Sequence, residues 1–201
     1  MTIKICGITN PEDAFAATAA GATAIGFNFY PRSPRYIAPQ RAAEIATPAG
    51  VRRVGVFVDE PPARVEAIAR IARLDVAQLH GDERPEDYPA ALAVWKAVRV
   101  TEDFDVARYS GYAVEALLLD GPAPGLYGGG GMAFDWSKCG ACFSLPIILA
   151  GGLDASNVAR AVALVHPWGV DACSRIEAAP GKKDHRKMTE FLQAAKEALG
   201  A

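Results

Sequence analysis

Residues 3–27 read IKICGITNPEDAFAATAAGATAIGF. A short apolar run at 3–6 is followed by Asn10, placed as a helix N-cap, with Pro11 at the first helical position and Glu12 and Asp13 in the first turn. An alanine-rich stretch then runs to Gly21, where the helix must stop, and a second apolar run at 23–27 resumes the strand pattern. Strand, helix and strand in that order make a βαβ unit. Its two strands are parallel, because the crossover helix returns the chain to the same end of the sheet.

The alternation continues along the whole chain. Strand candidates fall at 3–6, 23–27, 53–58, 76–79, 94–98, 115–120, 147–150 and 169–172, with further helix starts at Pro61, Asp154 and Asp184. Eight such units can close into a barrel. The alternative, a doubly wound open sheet, lacks its mark here: no strand is followed by Gly-x-Gly-x-x-Gly with an acidic residue about 20 positions later. Sharing 201 residues among eight units leaves roughly 25 for each, near the lower limit for the fold. The expectation is an α/β chain in which residues 1–201 form a single-domain (β/α)8 TIM barrel of minimal length, without long insertions.

Composition narrows the function classes. With 51% apolar and 22% charged residues the chain is not a disordered one. A net charge of −2, from 21 Lys and Arg against 23 Asp and Glu, supplies no general attraction to nucleic acid or to an anionic membrane. The charge-free window 14–31 is 18 residues long, but Thr18, Gly21, Thr23, Gly26 and Asn28 interrupt it and Pro31 closes it, so helix followed by buried strand fits better than a membrane span. The start of the chain does not read as a signal peptide. Four cysteines, irregularly spaced, do not suggest a disulfide framework, and Cys139 with Cys142 has no second pair to complete a metal site. A cytoplasmic protein holding no metal is expected, and a monomer is favoured over an oligomer.

In such a barrel the chemistry sits at the C-terminal ends of the strands. Cys6 closes the first strand near the helix that Asn10 starts, where positive charge or a helix N-terminus favours a thiolate; the alternative is a small buried apolar residue. Asp120 closes the apolar run at 116–119, a setting that suits a general acid, although an Asp-Gly-Pro corner also uses its Asp as a turn acceptor. Glycines at 128–131, and Gly151 with Gly152, let backbone N–H groups approach a phosphate, or form a lid or a linker. Arg32 and Arg35 flank Ser33-Pro34, where an arginine fork suits a carboxylate and a solvated loop arginine is the alternative. His80 is an acid–base candidate or a hydrogen-bonded strand end. Lys182, Lys183, Arg186 and Lys187 read as a solvated helix start.

Taken in order, Lys4-Ile5-Cys6-Gly7-Ile8, Gly26-Phe27, Ser33-Pro34-Arg35, Val54-Gly55-Val56-Phe57, Gln78-Leu79-His80-Gly81, the segment 120–136, Ala150-Gly151-Gly152-Leu153 and Pro180-Gly181-x-Lys183-Asp184 resemble the phosphoribosylanthranilate isomerase family of tryptophan biosynthesis. The resemblance spans nearly the whole chain. It implies a cofactor-free barrel that performs an Amadori rearrangement on a small phosphorylated substrate. Asp120 looks like the general acid and Cys6 like the general base. Arg35 resembles the residue that meets the anthranilate carboxylate, His80 a further substrate contact, and Gly129, Gly130, Gly131, Gly151, Gly152 and Ser174 the phosphate cradle.

Two positions depart from the pattern. Where the family usually reads Ser-Ser-Gly-Val-Glu, this chain has Cys173-Ser174-Arg175-Ile176-Glu177, and Gly130 stands where Thr or Ser is common. Arg175 is expected to add a charge-assisted contact to the phosphate or to another substrate anion. Other readings are a Schiff-base lyase with Lys96 as nucleophile, a non-catalytic phospholigand module, and a dual-substrate sugar isomerase, which usually carries Asp at the position of Cys6.

Overall fold

The computed structural model describes residues 1–109, 111–121, 135–136 and 145–200. Its strands are β1 (Thr2–Ile5), β2 (Ala24–Asn28), β3 (Arg52–Phe57), β4 (Val76–Leu79), β5 (Ala93–Arg99), β6 (Ala116–Asp120), β7 (Ile147–Leu149) and β8 (Gly169–Ala172), each end within one residue of its expected place. All pair in parallel in chain order, and β8 returns to β1 with Lys4 beside Asp171 and Ile5 beside Ala172, closing the barrel.

Successive residues of a strand face opposite sides, and this period sorts the core. Ala24, Val54, Val76, Trp95, Leu118 and Ile148 fill the barrel interior, while Ile5, Phe27, Phe57, Leu79, Leu117 and Leu149 face outward against Met188, Phe191 and Leu192 and the other apolar side chains of the helical layer. Nearer the mouth the inward positions turn polar. Lys4 and Cys6, Gln78 and His80, and Asp171 and Cys173 are inward pairs two residues apart, whereas Lys96 shares the outward face of Val94 and Val98.

The helices are α1 (Pro11–Ala19), α2 (Pro39–Glu44), α3 (Pro62–Ala72), α4 (Val158–Val165) and α5 (His185–Leu199). Asn10 caps α1 by accepting from the Asp13 N–H, Asp184 caps α5 by accepting from Lys187, and Gly21 follows α1 at φ 99°. Three local expectations change. Asp154 lies in the turn before α4, where it accepts from the Ser156 N–H, and Asn157 takes the cap position. Lys182–Lys183 form a short strand, β10, antiparallel to β9 (Glu177–Ala179), and Lys183 is buried rather than solvated. The connections after β4 and β5 carry single 3-10 turns, Pro85–Asp87 and Val106–Tyr109; Pro85 and Pro89 among Glu83, Arg84, Glu86 and Asp87 supply neither the N–H groups nor the apolar stripe of a longer helix. No helix among the described residues is long and apolar enough to cross a membrane.

Arg53 ties this frame together from its outer side. Its guanidinium donates to the carbonyls of Ala42 (2.7 Å) and Ile45 (2.9 Å) at the end of α2 and of Ala72 (2.9 Å) at the end of α3, and it stacks on Phe27. The last carbonyls of a helix have no partner within it, so one side chain satisfies two helix ends. Arg53→Met leaves those carbonyls buried and unpaired. It is expected to lower unfolding free energy by about 3 kcal/mol, read as a lower urea midpoint at unchanged slope; an unchanged midpoint contradicts this role.

Candidate active site

A cavity of about 290 Å³ opens at the C-terminal ends of the strands. Cys6 lines it from β1, Asn28 from β2, Gln78 and His80 from β4, Asp120 from β6, Gly151 and Gly152 from the turn after β7, and Asp171, Cys173 and Ser174 from β8 and its end. Arg35 and Arg175 also reach its wall. The barrel thus brings together eight of the residues that the sequence assigned to the site: Cys6, Arg35, His80, Asp120, Gly151, Gly152, Ser174 and Arg175. Gly129, Gly130 and Gly131, with Cys139 and Cys142, lie outside the described residues.

Cys6 is buried at the top of β1, its N–H donating to the Ala172 carbonyl at 2.9 Å. Beneath it the fully buried Lys4 ammonium meets Asp171 Oδ2 at 2.9 Å. Gly26 makes room for both: a Cβ built there would lie 2.9 Å from Cys6 Sγ, 2.9 Å from Lys4 Cε and 3.1 Å from Lys4 Nζ. The Cys173 thiol hydrogen-bonds to Cys6 and, against the opposing effect of burial, joins the Lys4 charge in pulling the Cys6 thiol well below its ordinary pKa. Cys173 moves the other way, pushed up by its hydrogen bond to Cys6 and by desolvation at its half-buried place. Burial outweighs the Lys4 charge at Asp171 and pushes its carboxyl up to about 7. Among the described residues, Asp171 Oδ1 and Gln78 Oε1 have no hydrogen-bond partner.

Across the barrel, Asp120 Oδ1 accepts from the Gly121 N–H at 2.8 Å, while Oδ2 lies 3.4 Å from His80 Nε2. Turn acceptor and cavity-facing carboxyl are therefore both true of this residue. Gln78 Nε2 lies 3.3 Å from His80 Nδ1 and orients the ring. Gly151 sits at φ +80° directly over this corner: a Cβ there would come within 2.6 Å of the Gly121 nitrogen.

The two arginines are already anchored. Arg35 grips Glu177 through Nε (2.9 Å) and Nη2 (2.7 Å), and Glu177 also accepts from Lys183 at 3.0 Å. Burial opposes the Glu177 charge, but these two cations hold its carboxyl below the usual carboxylate range. Arg175 Nε meets Asp154 Oδ2 at 2.8 Å across the turns that follow β7 and β8. Lys96 donates to Glu83 Oε2 and to the Gly81 carbonyl, each at 2.7 Å, and does not line the cavity, which removes the basis for a lysine nucleophile there. Among the described residues no group of three or more His, Cys, Asp or Glu is placed to hold a metal ion.

Lys4, Gln78, Asp171 and Cys173 carry much of this geometry; Lys4, Gln78 and Cys173 stand in the sequence only as letters of motifs or as a strand end, and Asp171 carries no signal of its own. Counting back two residues from each strand end would have found Lys4 below Cys6 and Asp171 below Cys173.

A closed parallel barrel with its polar side chains gathered at the C-terminal mouth defines the class: a (β/α)8 enzyme. The family model for N-(5'phosphoribosyl)anthranilate (PRA) isomerase matches residues 3–194. An N-(5'-phosphoribosyl)anthranilate isomerase from Solibacter usitatus is 70% identical over the full length of both chains. A crystal structure of phosphoribosyl anthranilate isomerase from Thermotoga maritima superposes with a TM-score of 0.88 at 41% identity, covering 98% of this chain and 99% of that one. A phosphoribosyl anthranilate isomerase in complex with reduced 1-(o-carboxyphenylamino)-1-deoxyribulose 5-phosphate gives 0.85 at 39% identity over the same shares, and a further structure describes the Thermotoga protein as dimeric. The chain belongs to the PRA isomerase family and is an isomerase of tryptophan biosynthesis.

Alkylation of Cys6 by iodoacetamide, followed by mass spectrometry across a pH series, is expected to titrate below the ordinary thiol value of about 8.5. A depressed pKa keeps the thiolate present to lower pH, and Lys4→Gln is expected to move the midpoint upward. A midpoint at or above the ordinary value in the native chain contradicts the electrostatics described.

Proposed function

We propose that Cys6 and Asp120 divide the proton transfers of the Amadori rearrangement that converts N-(5'-phosphoribosyl)anthranilate into 1-(o-carboxyphenylamino)-1-deoxyribulose 5-phosphate. The observation that carries this is their placement on non-adjacent strands, β1 and β6, lining one cavity, with Cys6 held toward its thiolate. Asp120, the acid, gives a proton to the furanose ring oxygen; the ring C–O bond breaks and a protonated Schiff base forms at C1. Cys6, the base, takes the proton from C2, and the electrons of that C–H bond move to give an enolamine. Protonation at C1 and loss of the hydroxyl proton at C2 complete the aminoketone. The barrel gives the two groups different surroundings: Cys6 stands over the Lys4 ammonium, and Asp120 lies 3.4 Å from His80 Nε2.

The substrate's two anionic ends suit the cationic rim. Arg35 is taken to receive the anthranilate carboxylate while Glu177 fixes its plane, and Gly151, Gly152, Ser174 and Arg175, with Gly129, Gly130 and Gly131, are taken as the phosphate cradle. His80 is assigned to the substrate hydroxyls beside Asp120. The open oxygens of Gln78 and Asp171 favour a ligand with several hydroxyl groups. Cys6 as the base separates this chain from dual-substrate sugar isomerases, which usually carry Asp there.

Residues 1–201 are taken as one barrel domain acting on a small phosphorylated molecule, without nucleic acid, membrane or cofactor as partner. A cytoplasmic location fits a reaction that needs Cys6 as a free thiol. A monomer is the working state, because among the described residues the large apolar side chains exposed on the helices, Phe15, Ile71 and Leu164, lie on three different ones.

Cys6→Ser and Asp120→Asn are each expected to lower kcat by at least about 100-fold, with circular dichroism and urea midpoint close to the parent. Near-normal turnover in either variant contradicts the assignment.

A further inference from the structure

Cys173 has no part in the proton transfers above, yet it stands beside the residue most central to them. The ladder between β1 and β8 pairs Ile5 with Ala172 and continues through the Cys6 N–H to the Ala172 carbonyl at 2.9 Å. The next residues on the two strands are Cys6 and Cys173, and both project inward into the same cavity. Neighbouring strands lie about 4.8 Å apart, inside the Cα separation of roughly 4.4–6.8 Å that a disulfide spans. Both thiols are free. Two cations face them: Lys4 below Cys6, and Lys183, whose Nζ lies 3.9 Å from Cys173 Sγ. The cavity leaves Cys173 partly exposed, a route for a small oxidant.

We infer that Cys6 and Cys173 form an oxidative modification site: a hydroperoxide converts the pair into a disulfide that stops the isomerase, and a dithiol reductant restores it. The Cys6 thiolate attacks the hydroperoxide and breaks its O–O bond, becoming a sulfenic acid as the alkoxide or hydroxide leaves and takes a proton. The Cys173 sulfur then attacks the Cys6 sulfur; the S–O bond breaks, the S–S bond forms, and the departing hydroxide takes the Cys173 proton as water. Two thiols lose two electrons and two protons, and one hydroperoxide becomes an alcohol, or water, plus water. Because Cys173 is in place, the sulfenic acid is trapped before a second peroxide carries it to the irreversible sulfinic acid. Bond formation rests on the geometry alone; the loss of activity rests on the proposed role of Cys6 as base.

Hydrogen peroxide supplied in excess, followed by alkylation of the remaining thiols and peptide mapping, tests the pair. The native chain is expected to yield a peptide joining Cys6 to Cys173, with Cys139 and Cys142 scored separately, and to lose at least 90% of its turnover, regained with dithiothreitol. Cys173→Ser, a near-isosteric change, is expected to form no such peptide, to accumulate sulfinic acid at Cys6, and to stay inactive after dithiothreitol, each measured against its own untreated activity. Cys6 recovered as sulfinic acid or unmodified in the native chain, with no joined peptide, overturns the site. A joined peptide with turnover intact supports the pair and instead overturns Cys6 as the base.

Discussion

Closure of the sheet by β8 against β1 is the constraint on which the site depends. It seats the Lys4 ammonium beside Asp171 in the barrel interior at 2.9 Å and, one step up the ladder, Cys6 beside Cys173. Burying two charges costs several kcal/mol each, and a close ion pair only offsets that cost. A pair of this kind is a poor source of stability. Its chemical consequence is clearer: a fixed cation directly under a thiol favours the thiolate in a medium that otherwise disfavours charge.

The same closure separates the proposed acid from the proposed base. Cys6 on β1 and Asp120 on β6 are not neighbours around the ring, so a sugar lying across the mouth meets one group at each side. They also differ in surroundings. Cys6 feels Lys4 and, further off, Lys183, whereas Asp120 accepts from the Gly121 N–H and lies 3.4 Å from His80 Nε2. Arg35, locked by Glu177, and Arg175, locked by Asp154, bring positive charge to the rim with little rotamer freedom left to lose on binding. The near-neutral chain therefore carries arginines at the rim of the mouth, where the proposed function places a carboxylate and a phosphate.

The barrel was legible in the sequence because each strand is an apolar run between turn residues and each helix that formed carries an end signal, as with Asn10, Gly21 and Asp184. Where the structure departs, local signals were weak or shared. Asp154 and Asn157 are both competent caps, and only the turn at Gly151-Gly152 decides between them. Lys183 reads as solvated until β9 and β10 pair and fold it over Glu177. Cys6, Asp120 and Arg35 stood out by strand-end position and motif. Asp171 did not, and Cys173 stood out only as a strand end, since the importance of both comes from lying across a ladder from Lys4 and Cys6, more than 160 residues away in the chain.

A crystal structure of this chain with reduced 1-(o-carboxyphenylamino)-1-deoxyribulose 5-phosphate bound is the most direct test of the central claim. The two-sided arrangement predicts Cys6 Sγ facing C2 and an Asp120 carboxyl oxygen facing the hydroxyl derived from the ring oxygen, each within about 4 Å, near attack distance. A ligand bound with C2 turned away from Cys6, or with both reacting centres on the same side of the mouth, would contradict it.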